Sequence, residues 1–348
     1  MASPFASNKS MQRVTGIGGI LFRAKANLIC NCLTKKAELI HANVMTKTYR
    51  LLACTLSTFV LLPVLGTFAQ EASPTIQLRD IFDLRGQTDG PLAEGVSRGG
   101  EVVGFYQDIA DNYTIKGFVR SKRGRLVEGL VFPGEGTMTY AQDINASGTI
   151  CGFYNDSAGA THGWFLVDGT YSSFDVSGAL NTEIFGINDA GDFVGIYNPS
   201  GTTYVPFIDI GGTITTIDFG FATTNAFATA ISSNGTVTGT YRILGDPLTY
   251  GFILAADGTL TTGIEEPLAE SAGTFCSGIN SHGWVVGNYW TEFNGYAFLF
   301  KPPHHFITYS IQNADSTYFT GINDDGLITG YYVDDSGQAH GLVLQVVQ

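Results

Sequence analysis

The chain has 348 residues, of which 44% are hydrophobic, too many for a disordered protein and enough for a substantial core. Only 14% of residues are charged, whereas glycine occurs 44 times, phenylalanine 24 times and tyrosine 16 times, a composition typical of short strands joined by tight turns. Residues 1–69 carry eight basic residues and one acid, so residues 70–348 carry ten bases against thirty acids, and this net charge of −20 excludes an extended nucleic-acid-binding surface.

The front of the chain has the pattern of an export signal. A basic segment at 45–50 precedes an apolar run over 51–65, and small residues precede a cut before Gln70. The alternative is an uncleaved membrane anchor, which the short run and its internal proline disfavour. We therefore predict a disposable leader or a start assigned too early over 1–44, and a signal peptide over 45–69. The mature protein is predicted to be exported, either secreted or periplasmic.

One repeated unit covers the rest of the chain. It consists of an apolar residue, Asn or Ser, two residues, Gly, three residues, Gly, one residue and Tyr. The six copies begin at Val96, Ile144, Ile187, Ile231, Ile279 and Ile322. The first Gly predicts a tight hairpin turn that needs a positive φ, and the second predicts a strand position where a neighbouring backbone or ring comes close.

Each repeat predicts four short strands, and six such units predict an all-β fold, a six-bladed β-propeller of four-stranded antiparallel blades over residues 70–348. The last copy ends without a fourth strand. The segment Thr75–Asp83 resembles the fourth-strand segment Tyr171–Asp175, so we predict that the N-terminal strand, residues 75–83, joins the last blade and closes the ring. A linear β-solenoid is the alternative, and it would not need a borrowed strand.

The repeat resembles the bacterial HAF family of extracellular repeats through its pattern Gly-Ile-Asn-Asp-x-Gly, then Val-Gly-x-Tyr, then His-Gly-Phe. The first two elements recur across residues 96–348, whereas the His before Gly is kept at His162 and His340. The resemblance implies an exported repeat protein of bacterial type. It brings no established catalytic residue.

Two cysteines, Cys151 and Cys276, remain in the mature chain. The repeat places them in blades two and five, too far apart for a bond that needs Cα atoms within about 7 Å. We predict two buried thiols that act as small hydrophobic residues.

Departures from the repeat mark candidate sites. In a propeller, the loops between strands one and two and between strands three and four share one face. On that face blade five carries His282, His304 and His305, which are candidate zinc ligands. The alternative is three exposed loop histidines.

Acidic residues collect on the opposite face, where carboxylates could hold Ca²⁺, although no loop has the spacing of a dedicated calcium site. The candidate metal ligands there are Asp108, Asp156, Glu292, Asp334 and Asp335. The alternative is a solvated acidic rim that keeps an exported protein soluble. If the protein is an enzyme, the candidate catalytic residues are Glu265, Glu266, Glu292, His304 and His305.

Three functions stay open from the sequence. The first is a propeller that binds a small molecule, a glycan or a protein partner through its loop faces. The second is a Ca²⁺-assisted hydrolase that opens a lactone, ester or glycosidic bond, and this rests on analogy with other propellers. The third is a structural component of an envelope or matrix. None of the three involves nucleic acid, or a membrane after signal cleavage.

Overall fold

The computed structural model describes residues 74–86, 88–134, 138–270, 272–292 and 294–347. The leader predicted over 1–44 and the signal peptide predicted over 45–69 lie outside these residues and stay predictions. Within the described residues there is no helix of the length and apolarity that a membrane crossing requires.

The described residues form 24 β-strands and no helix. The first strand is β1 (Thr75–Phe82). Set one consists of β2 (Leu92–Val96), β3 (Val102–Asp108), β4 (Thr114–Arg120) and β5 (Leu126–Leu130). Set two consists of β6 (Met138–Ile144), β7 (Ile150–Asn155), β8 (Thr161–Val167) and β9 (Thr170–Phe174). Set three consists of β10 (Asn181–Ile187), β11 (Phe193–Asn198), β12 (Val205–Ile210) and β13 (Thr213–Thr216).

The remaining strands continue the same order. Set four consists of β14 (Thr223–Ile231), β15 (Val237–Ile243), β16 (Tyr250–Leu254) and β17 (Leu260–Ile264). Set five consists of β18 (Thr274–Ile279), β19 (Val285–Trp290), β20 (Gly295–Lys301) and β21 (His305–Tyr309). Set six consists of β22 (Ser316–Ile322), β23 (Leu327–Val333), β24 (Ala339–Val347) and β1. Every set is antiparallel, and single parallel residue pairs join set one to set two and set five to set six.

The first glycine of each repeat forms the predicted hairpin turn between the first and second strands of its set. In every turn the glycine N–H donates to the carbonyl of the repeat Asn or Ser, and φ lies between +73° and +87°. The six glycines are Gly100, Gly148, Gly191, Gly235, Gly283 and Gly326. The prediction of a positive φ is confirmed at all six.

The second glycine of each repeat lies where two strands approach closely. At Gly239, a Cβ atom would collide with the Phe227 carbonyl oxygen on the first strand and would lie 2.8 Å from the Phe252 ring. The first strand of every set has a register shift opposite this glycine, as between Ala228 and Ala230. Because of the bulge and the missing side chain of the glycine, the first and second strands approach each other as closely as the sequence predicts.

Strand β1 completes set six. It pairs antiparallel with β24 from Thr75–Val347 to Phe82–Gly341. Set six also contacts set one, because Thr320 Oγ1 donates to the Ala93 carbonyl at 2.8 Å. Each first strand contacts the first strand of the next set, and β22 contacts β2 in the same way.

The hydrophobic core lies between neighbouring sets rather than in one central mass. In one cluster Val194 and Ile208 of set three pack with Ala228 and Phe252 of set four. In another, Val103 of set one packs with Trp164 of set two, which is fully buried. The faces of adjacent sheets therefore bury each other. Both described cysteines, Cys151 and Cys276, are free and buried, as predicted.

Candidate functional site

Aromatic side chains from the first and second strands of sets one to three contact one another in sequence. Ring centroids lie 4.9 Å apart for Phe105 and Tyr140, 4.4 Å for Tyr140 and Phe153, and 6.0 Å for Phe153 and Phe185. All four side chains are buried. This first arc is therefore packing between sets and offers little surface to a ligand.

A second arc of rings lies on sets five and six. Ring centroids lie 5.0 Å apart for Phe275 and Trp290, 5.7 Å for Trp290 and Tyr318, and 4.6 Å for Tyr318 and Tyr331. Phe275, Tyr318 and Tyr331 are half-buried, so this arc keeps aromatic surface open. Set four, with Phe227 on its first strand, separates the two arcs.

A glutamate lies beside each arc. The surrounding protein removes water from the Glu94 carboxyl and raises its pKa to about 8, and the Glu94 charge adds to the burial that raises the pKa of Tyr331. Burial also raises the pKa of Glu183 to about 7, and the Glu183 charge adds to the burial that raises the pKa of Tyr140 to about 12. Both glutamates are half-buried and keep some exposed surface. A carboxyl with a pKa near 8 is protonated at neutral pH and donates a hydrogen bond.

A third acid on a first strand, Asp143, has a structural role. It occupies the position that Gly95, Gly186, Gly278 and Gly321 hold in other repeats. Its carboxylate accepts hydrogen bonds from the backbone N–H groups of Ile144 at 2.8 Å and of Ile187 at 3.0 Å, and so joins set two to set three. Burial raises its pKa to about 7 in spite of these bonds.

Three of the predicted calcium ligands occupy one repeated position and serve their own hairpins. Asp108, Asp156 and Asp334 each follow the repeat Tyr by two residues. Each accepts backbone N–H bonds within its own loop, from Ala158 and Ala160 at 2.9 and 2.8 Å in the case of Asp156.

The second oxygen of each of these carboxylates contacts a basic side chain of the third strand. The partners are Lys116 Nζ for Asp108 at 3.0 Å, His162 Nε2 for Asp156 at 3.5 Å and His340 Nε2 for Asp334 at 3.3 Å. The pKa of Asp156 lies below its usual range chiefly because its carboxylate accepts the Ala160 N–H, and that of Asp334 chiefly because its carboxylate accepts the Ser336 hydroxyl. The histidine contacts act in the same direction. The three acids therefore act as loop and strand anchors within separate sets.

The remaining acidic candidates do not converge. Asp335, Glu292 and Glu265 are exposed. Glu266 is buried, and its carboxylate accepts the Leu268 N–H at 2.6 Å while its own N–H donates to Thr274 Oγ1 at 2.8 Å. Glu266 thus fixes the connection between sets four and five.

The histidine candidates of set five are exposed. His282 lies against Trp284 with ring centroids 5.4 Å apart, and Lys301 Nζ lies 4.3 Å from the centre of the Trp284 ring. His304 precedes β21 and His305 begins it. In the part of the chain that the structure describes, no group of three or more His, Cys, Asp or Glu side chains is placed to hold a metal ion.

The departures from the repeat lie in the loops, and the second arc was not predicted from the sequence. A signal for it was present four residues before the apolar residue that opens each repeat. That position carries large residues, four of the six being aromatic: Leu92, Tyr140, Glu183, Phe227, Phe275 and Tyr318. Glu94 lies on the bulge of β2, and nothing in the repeat pattern indicated a functional role for it.

Solved β-propeller proteins have backbones similar to that of this chain, although their sequence identity to it is low. TolB from Agrobacterium tumefaciens is 13% identical, with a TM-score of 0.48 over 79% of this chain and 98% of that one. Virginiamycin B lyase from Staphylococcus aureus is 12% identical, with a TM-score of 0.44 over 79% and 100%. The Aleuria aurantia lectin with α-methyl-L-fucoside is 12% identical, with a TM-score of 0.43 over 74% and 93%. No family model and no curated protein matches the sequence. These neighbours differ in function and indicate none for this chain.

Proposed function

We propose that the six sets are the blades of a six-bladed β-propeller and that β1 closes its ring. The pairing of β1 with β24 supports closure, as do the hydrogen bonds from Thr320 to Ala93 and from Asn323 Nδ2 to the Ser97 carbonyl at 2.9 Å. The first strands would then surround a central channel, with the second arc, Glu94 and Glu183 on its wall. On the repeat pattern and the signal over 45–69, this is a HAF-type exported protein, secreted or periplasmic.

We propose further that the protein binds a small molecule or glycan at the channel mouth. The observation that carries this proposal is the second arc, where Phe275, Tyr318 and Tyr331 keep aromatic surface open beside the carboxyl of Glu94. Flat rings pack against the C–H faces of a sugar or another flat ligand, and a few polar groups then fix its orientation. A protonated Glu94 donates to a ligand oxygen, which an ionised carboxylate would not do.

The hydrolase alternative has less support. A metal-assisted reaction needs carboxylates that are free to coordinate, whereas Asp108, Asp156 and Asp334 are engaged by turn amides and by basic side chains. Glu265 and Glu292 are exposed, and their carboxylates do not converge on a common site. Binding without turnover is therefore the function that the geometry supports best.

The test is a binding screen on the 70–348 protein. A glycan array and a set of small aromatic and sugar ligands are followed by tryptophan fluorescence, since Trp290 lies within the second arc. Phe275→Ala and Tyr318→Ala are each expected to weaken binding at least about tenfold, as loss of a buried contact residue costs more than 1 kcal/mol. Tyr171→Ala is the matched control, because it removes a half-buried ring from the fourth strand of set two. Binding that both arc variants leave unchanged, or no binding at all, would overturn the proposal.

A further inference from the structure

One basic residue stands alone in the middle of the chain. Arg242 is the single Lys or Arg between Arg125 and Lys301. It lies on β15 of set four, directly after the repeat residue Tyr241, and its side chain is half-buried. A half-buried basic side chain has lost part of its contact with water, and this loss is unfavourable unless another interaction compensates for it.

The repeat position of Arg242 corresponds to that of a member of the second arc. Arg242 holds the same repeat position as Trp290 in set five, and the Trp290 ring contacts Phe275 and Tyr318. Its Nη2 atom donates to Thr249 Oγ1 at 3.2 Å. The Thr249 carbonyl in turn accepts the Thr274 N–H at 2.8 Å, where the first strand of set five begins. The guanidinium therefore lies where set four meets β18, in the gap between the two arcs.

The guanidinium of Arg242 is not neutralised within the described residues. Its Nε atom is buried without a hydrogen-bond partner there, and so is Thr224 Oγ1, whose neighbour Asn225 pairs with Arg242 across β14 and β15. Nor does a described carboxylate lie within salt-bridge distance of it.

The buried arginine Arg120 provides the contrast. Arg120 also has a buried Nε without a partner, but its guanidinium forms an ion pair with Asp80 and lies over the Phe82 ring. A cation that is partly removed from water and has no ion-pair partner is unfavourable. Arg242 is therefore arranged for a partner that the described residues do not supply.

We propose that Arg242 and Thr224 bind the carboxylate of a ligand whose ring lies on the second arc, which makes the ligand a sugar acid of the uronate class. This inference rests on the proposed function and specifies its ligand. The planar N–H fork of arginine matches a carboxylate in two-point contact, and the Thr224 hydroxyl supplies another donor. One cation among residues 70–348, whose net charge is −20, suits one negative charge better than the two of a phosphate monoester.

The test compares two probes that differ only in charge. One is a disaccharide that ends in a single glucuronate, and the other is its methyl ester. The 70–348 protein is expected to bind the acid at least about tenfold more tightly than the ester. Arg242→Met is expected to abolish this preference and to leave both probes at the affinity of the ester, whereas Arg242→Lys keeps part of it. Arg98→Met, which removes an exposed arginine from the first hairpin turn, is the matched control and is expected to keep the full preference.

The outcomes separate the two proposals. Equal binding of acid and ester by the 70–348 protein, with both weakened by Phe275→Ala, would overturn the uronate inference and leave the channel-mouth site standing. Failure of both probes to bind would overturn the inference as well, and a neutral hit in the wider screen would still support the site. If Arg242→Met does not fold, Arg242→Lys and the acid-to-ester ratio of the unaltered protein decide the question.

Discussion

His340 contacts Asp83 although 257 positions separate them in the chain, with Nδ1 lying 2.6 Å from Asp83 Oδ1. The same contact occurs within set two, where His162 Nδ1 lies 3.0 Å from Asp175 Oδ1. Both histidines also stack on the repeat tyrosine of their set. Asp175 directly follows the fourth strand β9, and Asp83 directly follows β1. Strand β1 therefore occupies the fourth-strand position of set six in its side-chain contacts as well as in its pairing.

Deletion of residues 75–83 is expected to destroy cooperative folding. It would expose the long edge of β24, remove Phe82 from its position against Gly341 and leave an unpaired strand that promotes aggregation. Thermal unfolding with light scattering measures both effects. Asp83→Asn is the control, because it keeps the strand and removes only the charge of an exposed carboxylate beside His340, and exposed charge contacts contribute about 1 kcal/mol or less. A truncated protein that melts like the 70–348 protein would contradict the assignment of β1.

The repeat predicted the four-stranded antiparallel sets because its signals are local. A positive φ at Gly100 or Gly326 and a close approach at Gly239 follow from residue type alone. The resemblance of residues 75–83 to a fourth strand could also be recognised in the sequence, because Asp83 and Asp175 end the two segments.

The candidate site could not be predicted from the sequence, and the reason is physical. Side chains on a strand alternate between two faces, and a bulge shifts this alternation by one residue. Every first strand carries such a bulge, so Glu94 and its counterparts could not be assigned to a face from the pattern. Acids such as Asp156 looked available because the partner His162 comes from the next strand of the hairpin.

Gly239→Ala is expected to destabilise the protein by about 3 kcal/mol or more, because the new methyl group meets the Phe227 backbone carbonyl and the Phe252 ring. Urea unfolding measures the loss. Gly99→Ala is the matched control in a hairpin turn, since its new methyl group would meet only the carboxylate end of Glu101, which can turn away. Equal stability losses in the two variants would show that close packing at the second repeat glycine is not what its position requires.

The two thiols are expected to be unreactive in the folded protein. Cys151 and Cys276 are fully buried, and burial raises the pKa of the Cys276 thiol to about 12 and that of Cys151 well above its usual range. A thiolate is the reactive form, so Ellman's reagent should label neither residue until denaturant is added, and both afterwards. Intact mass after air oxidation should still correspond to two free thiols. Labelling of one cysteine in the native protein, or a mass lower by one disulfide, would refute this.

The stability of the protein is expected to fall as the pH rises from about 4.5 to about 8. Over this range the folded state keeps the Glu94 proton, with a pKa of about 8, whereas the unfolded chain has released it. Folding therefore binds a proton, and raising the pH favours the unfolded state. Glu183 and Asp143, each with a pKa raised to about 7, add to the same trend over a narrower range.

Glu94→Gln isolates the largest of these contributions because the amide keeps the shape of the protonated carboxyl and does not titrate. The variant is expected to unfold at nearly the same temperature as the unaltered protein at pH 5 and at a higher temperature at pH 9. Glu292→Gln, on an exposed loop side chain, serves as the control and should change the melting temperature equally at both pH values. The loss of stability with rising pH that remains in the Glu94→Gln variant measures the combined contribution of Glu183 and Asp143. A variant that follows the unaltered protein at pH 9 would mean that Glu94 is hydrated and ionised in the folded state, and the neutral donor assigned to the ligand site would be lost with it.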